Sequence, residues 1–428
     1  MSFKRVPLGE LLDGKGYIRG PFGSALKRAD MHESGIPVYE QQHAIYGHRD
    51  FRYFIQDDKF QKLNRFQVQS NDLIISCSGT VGRISIIKES DPQGIISQAL
   101  LILRVDSQKL LPDFLYYFLT SPVGKRELLN ASQGAVQQNI APRAVVEKIE
   151  VPLPDMSIQK LIVNQLKNLD KKVWVNTTIN ETLEEMAQAI FKSWFVDFDP
   201  VKTKMNGEQP EGMDAATASL FPEKLVESEL GLIPEGWEVG ALSSVVDVIM
   251  GQSPKGSTYN DQNEGTPLVN GPVEFGVYHP VAQKWTTAPT KMSKNKDLIV
   301  CVRGSTTGRY VVSDGEYCLG RGVCSIRSND FPSFANYLFK SELNSLLHLT
   351  TGSTFPSWSG PTLKNFKVVV PPETIIEKFE LLIGKLCEMM ARNTGQNETL
   401  STLRDTLLPK LLSGEIELGE TEEMAEVN

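Results

Sequence analysis

Two glycine-containing turns have residue types that could bind an anion. Residues 78–83 read SGTVGR, and residues 303–309 read RGSTTGR. Adjacent backbone N–H groups near glycine can hold a phosphate, and Arg83 and Arg309 end the two turns. A hairpin turn needs glycine for its backbone geometry alone, so both interpretations stay open. A DNA phosphate would suit either turn.

Side chains suited to reading base edges occur elsewhere in the chain. Readout in a DNA groove uses Arg, Lys, Asn, Gln and Ser on exposed loops, with a few aromatic residues. The candidates before residue 156 are Gln41, Gln42, His43, Arg49, Arg52, Gln137, Gln138 and Asn139. Those after residue 232 are Gln252, Lys255, Asn270, Lys284, Trp285, Arg321, Thr354, Ser357 and Trp358. Ordinary surface polarity is the competing interpretation of each.

No constellation of catalytic residues accompanies these candidates. The sequence contains no GxxxxGK[ST], HExxH or GxSxG motif, no glycine-rich dinucleotide fingerprint and no Asn-Pro-Pro-aromatic motif. The five histidines lack metal-ligand spacing. The five cysteines are odd in number and form no CxxC, which favours core thiols over disulfides or zinc ligands. The sequence therefore predicts neither a catalytic residue nor a metal site.

Two long helical runs are the elements that would position the candidate DNA-contacting residues. Apolar residues recur at spacings of three and four over residues 157–195 and 375–412, as in the seam of a coiled coil. Each run has about 40 residues and would be roughly 60 Å long. Two amphipathic helices buried in separate cores are the alternative.

Asparagines at matched seam positions favour the coiled coil. The tetrapeptide NETL occurs at residues 180–183 and again at 397–400. Antiparallel pairing would bring Asn176 and Asn180 opposite Asn397 and Asn393. An asparagine in a seam lowers stability but fixes register, because a slip leaves its amide without a partner. The paired helices would then be a spacer of defined length.

The parts before each helical run repeat one plan. Residues 297–309 match residues 72–83 with one insertion, 265–269 match 35–39, and 370–372 match 151–153. The loops differ between the halves, which suggests two sites that read different things. The predicted segments are two similar mixed domains (1–155 and 233–372), two helical spacers (156–198 and 373–414), a connector (199–232) and an acidic tail (415–428).

Composition excludes few functions. The 428 residues are 40% hydrophobic and 22% charged, as in ordinary globular proteins. No apolar run reaches the roughly 18 residues of a membrane span, and the N-terminus lacks a signal-peptide core, so we expect a cytoplasmic protein. The net charge of −8 would disfavour DNA binding, but the acidic residues gather in the connector and the tail.

The sequence resembles the specificity subunits of type I restriction-modification enzymes. The resemblance covers nearly the whole chain. It rests on the duplicated layout, on residues 189–200 (AIFKSWFVDFDP), on the connector residues 220–222 (LFP) and 231–237 (GLIPEGW), and on Gln133-Gly134 with residues 138–140 (QNI) before 151–154 (VPLP) and Gln159. One departure is that Pro372 leads into the second helix without the usual glutamine.

The resemblance implies an α+β fold with two target-recognition domains held apart by two long helices packed as an antiparallel coiled coil. Each domain would read one half of a bipartite, asymmetric site in double-stranded DNA. The helices would set the gap and dock two modification subunits, and restriction subunits would complete the complex. S-adenosylmethionine, ATP and Mg would be used by those partners, with no cofactor on this non-catalytic chain.

Two other classes of function are compatible with the residues. A stand-alone nuclease or methyltransferase with an unrecognised motif would turn over DNA when it is supplied with Mg²⁺ and S-adenosylmethionine. A coiled-coil scaffold without DNA contact would bind its protein partners whatever the DNA sequence.

Overall fold

The computed structural model describes residues 3–130, 140, 142–352 and 356–416. The chain divides into two compact units. Unit 1 comprises Met1–Trp174 and Asn397–Asn428, and unit 2 comprises Val175–Gln396. Both unit boundaries fall inside long helices, so each of the two helices contributes to both units.

The elements up to the first long helix follow in chain order. They are β1 (Arg5–Pro7), β2 (Leu12–Arg19), β3 (Ile36–Tyr39), α1 (Gln41–Tyr46), β4 (Phe54–Ile55), α2 (Asp57–Lys62), β5 (Leu73–Ser76), β6 (Ile84–Ile86), β7 (Ile95–Ile96), β8 (Leu100–Val105), α3 (Pro112–Thr120), α4 (Pro122–Asn130), α5 (Arg143–Val146), β9 (Glu150–Pro152) and the long α6 (Met156–Phe195).

The sheets of unit 1 follow from short runs of apolar, β-branched residues. Four antiparallel strands lie in the order β2-β8-β5-β6, and three others in the order β4-β3-β7, where β3 and β7 are parallel. Strand β1 pairs with β9 just before α6. Strands β5 and β8 are buried almost throughout, and α3 packs Phe114 and Phe118 into the same core.

The remaining elements begin in the connector. They are α7 (Asp199–Met205), α8 (Ala215–Ser219), β10 (Leu225–Ser228), β11 (Gly231–Pro234), β12 (Glu238–Ala241), β13 (Asp247–Met250), β14 (Tyr259–Asn260), β15 (Thr266–Val269), β16 (Lys284–Thr286), β17 (Leu298–Cys301), β18 (Tyr310–Val312), β19 (Cys318–Leu319), β20 (Val323–Arg327), α9 (Pro332–Ser341), α10 (Leu343–His348), α11 (Gly360–Lys364), β21 (Lys367–Val370) and the long α12 (Glu373–Ser413).

Unit 2 repeats the topology of unit 1, which confirms the predicted duplication. Its sheet β13-β20-β17-β18 has the strand order of β2-β8-β5-β6. The sheet β14-β16-β15-β19 contains a parallel β15–β19 pair that corresponds to β3–β7. The pair β12–β21 corresponds to β1–β9. The connector adds a hairpin, β10–β11, that has no counterpart among the described residues of unit 1.

A buried ion pair recurs at the same place in both units. Asp72 precedes β5, is fully buried, and accepts hydrogen bonds from Arg104 at 2.7 Å through both carboxylate oxygens. Asp297 precedes β17 and accepts from Arg327 at 2.7 Å and from the Ser325 hydroxyl at 2.6 Å. Each aspartate thus ties its strand to the neighbouring strand β8 or β20.

Helices α6 and α12 confirm the two predicted helical runs, and their bounds lie close to the expected ones. In unit 2 the numbering of paired residues rises along one helix and falls along the other, so the pairing is antiparallel. Asn180 Oδ1 accepts from Asn393 Nδ2 at 2.8 Å, as the seam predicted. Asn176 Nδ2 donates to Gln396 Oε1 at 2.8 Å. Asn397 belongs to unit 1.

Tyrosine–carboxylate hydrogen bonds fasten the helices to each sheet domain. In unit 1, Tyr117 of α3 donates to Asp170 of α6 at 2.7 Å, and Arg404 of α12 pairs with the same carboxylate at 2.9 Å. In unit 2, Tyr337 of α9 donates to Glu184 of α6 at 2.7 Å. Burial alone would raise the pKa of Glu184, but its ion pair with Lys340 and its hydrogen bonds hold the pKa below the usual value.

Replacement of Asn180 with leucine is expected to destabilise unit 2 by about 1 kcal/mol, because the half-buried Asn393 amide would lose its acceptor. The double variant Asn180→Leu/Asn393→Leu removes both partners and should recover part of that loss. Urea unfolding of the three variants measures the effect. Equal stability of the single variant and the wild type would show that the Asn180–Asn393 hydrogen bond does not stabilise unit 2.

Four of the five cysteines are core thiols, as predicted, whereas Cys387 is half-buried. Cys77, Cys301, Cys318 and Cys324 are buried and unpaired. Burial raises the pKa of Cys77 to about 12 and that of Cys301 to about 11, so these thiols stay protonated and unreactive.

Among the described residues, no helix is long and apolar enough to cross a membrane. Nor do three His, Cys, Asp or Glu side chains gather there as metal ligands.

Candidate nucleic-acid interface

The two glycine turns connect equivalent hairpins. Residues 77–83 join β5 to β6, and residues 302–309 join β17 to β18. Gly79 and Gly82 have φ values of 64° and 78°, which strain any residue with a side chain. In the first turn the Ser76 hydroxyl donates to the Thr80 carbonyl at 2.6 Å and accepts from the Arg83 N–H at 2.9 Å. The hairpin interpretation of the glycines is therefore confirmed.

Both turns also leave backbone donors free. In unit 1 the N–H groups of Ser78, Gly79 and Thr80 have no acceptor within the described parts of the chain, and all three residues are exposed. In the second turn the N–H groups of Ser305 and Thr306 likewise have no acceptor among the residues that the structure describes. Such consecutive donors suit a phosphate. Arg83 and Arg309 are exposed and form no ion pair with any described residue, so the anion interpretation remains a prediction.

The segment opposite the first turn is a helix rather than the predicted loop. Helix α1 begins after Glu40, whose N–H donates to His43 Nδ1 at 2.7 Å. It ends at Tyr46, and Gly47 follows with a φ of 73°. This glycine is the sequence signal for the helix end. The Gln41 side chain donates to the Ser78 carbonyl and so lies against the turn.

Two predicted base readers of unit 1 have partners within the protein. His43 is fully buried, and its Nε2 lies 3.0 Å from the Asp50 carbonyl. Burial lowers the pKa of His43, so its ring is a neutral core group. Arg49 pairs with Asp91 at 2.8 Å and donates to the Ile86 carbonyl at 3.1 Å. The prediction that His43 contacts bases is therefore wrong, because its ring is buried and its polar atoms have internal partners. A base contact by Arg49 stays a prediction, and it would compete with the ion pair to Asp91.

The other candidates of unit 1 differ in exposure and in their hydrogen-bond partners. Arg52 is 64% exposed but forms a two-pronged ion pair with Glu40 at 2.8 Å. Gln42 is half-buried, with its amide 3.5 Å from the Asp50 carbonyl. Gln137, Gln138 and Asn139 lie outside the described residues. Tyr46, at the end of α1, was not predicted; its ring is 74% exposed and stacks on His48 with 5.9 Å between centroids.

Unit 2 brings several predicted residues together. The N–H of Arg321 donates to the Ser253 hydroxyl at 3.2 Å, so the loops bearing Gln252, Lys255 and Arg321 are neighbours. Asn270 lies so close to Gly320 that an added Cβ there would stand 1.9 Å from Asn270 Oδ1. These four residues therefore lie on adjacent loops and are called here the loop cluster; Gln252, Lys255 and Arg321 are exposed.

The remaining candidates of unit 2 lie elsewhere. Lys284 and Trp285 are on β16, exposed and half-buried respectively. Ser357 is half-buried in a bridge with Thr351. Trp358 is 2% exposed and donates from Nε1 to the Leu346 carbonyl at 2.8 Å, so its predicted base contact is wrong and it is a core residue. Thr354 lies outside the described residues.

Both repeats match one protein family. The sequence profile of the type I restriction modification DNA specificity domain matches residues 23–185 and again residues 234–378. The chain belongs to this family. The first match begins after β2 and extends to residue 185 within α6, and the second runs from residue 234 to the start of α12. The family assignment therefore covers most of both duplicated parts.

Known members of the family align with most of this chain. The HindI type I restriction enzyme specificity subunit of Haemophilus influenzae is 26% identical over 390 residues, which cover 78% of this chain and 84% of that protein. The MjaIX specificity subunit of Methanocaldococcus jannaschii is 25% identical over 325 residues, covering 73% and 70%. The crystal structure of the S subunit from M. genitalium has a similar fold, with a TM-score of 0.55, 15% identity and 96% coverage of each chain.

Proposed function

We propose that this chain is the DNA sequence-specificity subunit of a type I restriction-modification complex, and that each unit reads one half of a bipartite, asymmetric site. One observation carries the proposal: both repeats match the specificity family and share a sheet topology, while their exposed loops differ. A common scaffold with different loops suits two different half-sites. The free N–H donors of the glycine turns would bind backbone phosphates. Base edges would be read by Tyr46 in unit 1 and by the loop cluster in unit 2.

If the turns bind phosphates, removal of their arginines should make DNA affinity less dependent on salt. The double variant Arg83→Gln/Arg309→Gln should lower the slope of log affinity against log salt by about two on mixed-sequence duplex DNA, about one per lost phosphate contact. Affinity should fall alike for all sequences. Lys385→Gln, an exposed lysine on α12, is the matched control. Fluorescence anisotropy at several salt concentrations measures the slope, and an unchanged slope would remove the turns from the interface.

The helix pair of unit 2 offers a surface for a modification subunit. On one edge of the seam, Glu184 and Phe191 pack against the sheet domain. On the opposite edge lie four apolar residues that each precede a seam position and are 40–48% exposed: Ile179, Met186, Leu382 and Met389. Helices that pair antiparallel place these flanking positions on a common edge. An exposed apolar strip of this kind is typical of a docking site.

Charges placed on this strip should block assembly. Met186→Lys/Met389→Lys is expected to weaken binding of the cognate modification subunit by about 30-fold or more, as for central interface residues. The fold should persist, because both side chains are exposed. Thr178→Lys, on the outer face of α6, should bind normally. Copurification and calorimetry measure the difference, and wild-type affinity of the double variant would place the docking site elsewhere.

The chemistry of the complex then belongs to its other subunits. In this proposal the modification subunits, two per chain, use S-adenosylmethionine, and the restriction subunits use ATP and Mg. The chain itself supplies the DNA address, and the paired helices set the gap between the half-sites. It acts where the DNA is, in the cytoplasm. Purified alone with DNA, Mg²⁺ and S-adenosylmethionine, it should neither cleave nor methylate.

A further inference from the structure

Unit 2 contains an apolar groove that the DNA-reading role does not use. Its volume is about 940 Å³. Its floor consists of aromatic and aliphatic side chains at the end of α6 and on α9, including Phe195, Phe334 and Leu338. One wall is the connector hairpin β10–β11, and the opposite wall is α10 and α11.

The rim of the groove exposes apolar side chains to solvent. Leu232 and Leu230 on the hairpin are 57% and 46% exposed, Val196 after α6 is 45% exposed, and Leu349 after α10 is 46% exposed. A small ligand inside the groove would leave these side chains uncovered. A longer apolar surface would bury the floor and the rim together, as an amphipathic helix does in a hydrophobic groove.

One acidic side chain in the groove has no counter-charge. Glu342 lines it, and among the described residues no side chain or backbone group pairs with its carboxylate. Burial raises the pKa of this carboxyl. The nearby cation, Lys367, is already paired with Glu229 at 2.9 Å. An occupant with a basic residue facing Glu342 would complete the pair, whereas an acidic segment would be repelled.

We infer that this groove is a docking site for an amphipathic helix of a partner subunit that carries apolar residues along one face and an Arg or Lys opposite Glu342. This inference depends on the proposed function in one respect, because it takes the partner to be another subunit of the type I restriction-modification complex. Because the hairpin wall has no counterpart among the described residues of unit 1, we expect one such helix per chain. The duplicated chain would thus carry a non-duplicated docking site.

The charge preference can be tested with two synthetic 18-residue helical peptides. They share one leucine face and differ only in Arg or Glu at the central flanking position. We expect the full chain to bind the Arg peptide about ten-fold more tightly than the Glu peptide, the size of one well-placed charge pair. Glu342→Lys should reverse this preference. Leu232→Ser should weaken both peptides, and Val277→Ser, a fully exposed valine outside the groove, should change neither.

Fluorescence anisotropy with labelled peptides, without DNA, gives the readout, so a failure here is separate from a failure of DNA reading. Equal binding of both peptides by wild type and Glu342→Lys would overturn the inference. Self-association of the chain that Leu232→Ser abolishes would also overturn it, because the occupant would then be a second copy. Calorimetric titration with purified modification and restriction subunits then tests the stoichiometry: one Leu232-dependent helix per chain supports the inference, and two contradict it.

Discussion

Replacement of Asp297 with alanine is expected to lower the free energy of unfolding of unit 2 by about 3–5 kcal/mol, as for other broken buried ion pairs. The carboxylate is 3% exposed and accepts from Arg327, Ser325 and the Lys294 N–H. Its removal leaves the Arg327 guanidinium, whose side chain is only 13% exposed, without a counter-charge. Urea unfolding followed by tryptophan fluorescence reports mainly on unit 2, because four of the five tryptophans are there: Trp194, Trp237, Trp285 and Trp358.

The matched control is Asp247→Ala, on the exposed side of β13, which should change stability by less than about 0.5 kcal/mol. Asp297→Leu/Arg327→Met removes both charges and should be more stable than Asp297→Ala. If Asp297→Ala unfolds at the same urea concentration as the control, the ion pair does not hold β17 to β20.

Replacement of Phe379 with alanine should have an effect of similar size, about 3–5 kcal/mol, because it opens a cavity in an aromatic core. Phe379 is fully buried on α12. Its ring centroid lies 5.2–6.3 Å from five other rings, three on α6 and two on α9. The variant should therefore loosen the attachment of the helix pair to the sheet domain of unit 2.

Leu381→Ala, two residues away and 61% exposed, is the control and should stay near wild-type stability. Hydrogen exchange in α9 adds a local readout. We expect faster exchange there in Phe379→Ala than in Leu381→Ala. Identical protection of α9 in the two variants would mean that the aromatic cluster does not anchor the helices.

The sequence was enough to predict the features that repeat. The spacing of apolar residues in α6 and α12 defines a seam whatever the surroundings, and the Asn180–Asn393 hydrogen bond agrees with that seam. The match between residues 72–83 and 297–309 predicted equivalent hairpins, because strand alternation and glycine turns are local. The Asp72–Arg104 pair was not predicted, since its partners are 32 residues apart.

The loops that carry the candidate site were harder to predict, because side-chain direction there depends on tertiary contacts. His43 and Trp358 have polar atoms that suit DNA, yet their rings fill the core and bond to the backbone. The loop cluster forms because Gly320 lets Asn270 approach closely, a contact between segments about 50 residues apart. The groove likewise depends on the hairpin β10–β11, which the composition of the connector did not reveal.

The most direct test of the account is a map of methylated adenines in a host that lacks adenine methylation. The host expresses the cognate modification subunit with or without this chain. We predict methylation at one two-part, asymmetric motif with a fixed gap, present only when the chain is expressed. Methylation that is the same with and without the chain, or that occurs at a single undivided motif, would contradict the proposal that its two units read two half-sites.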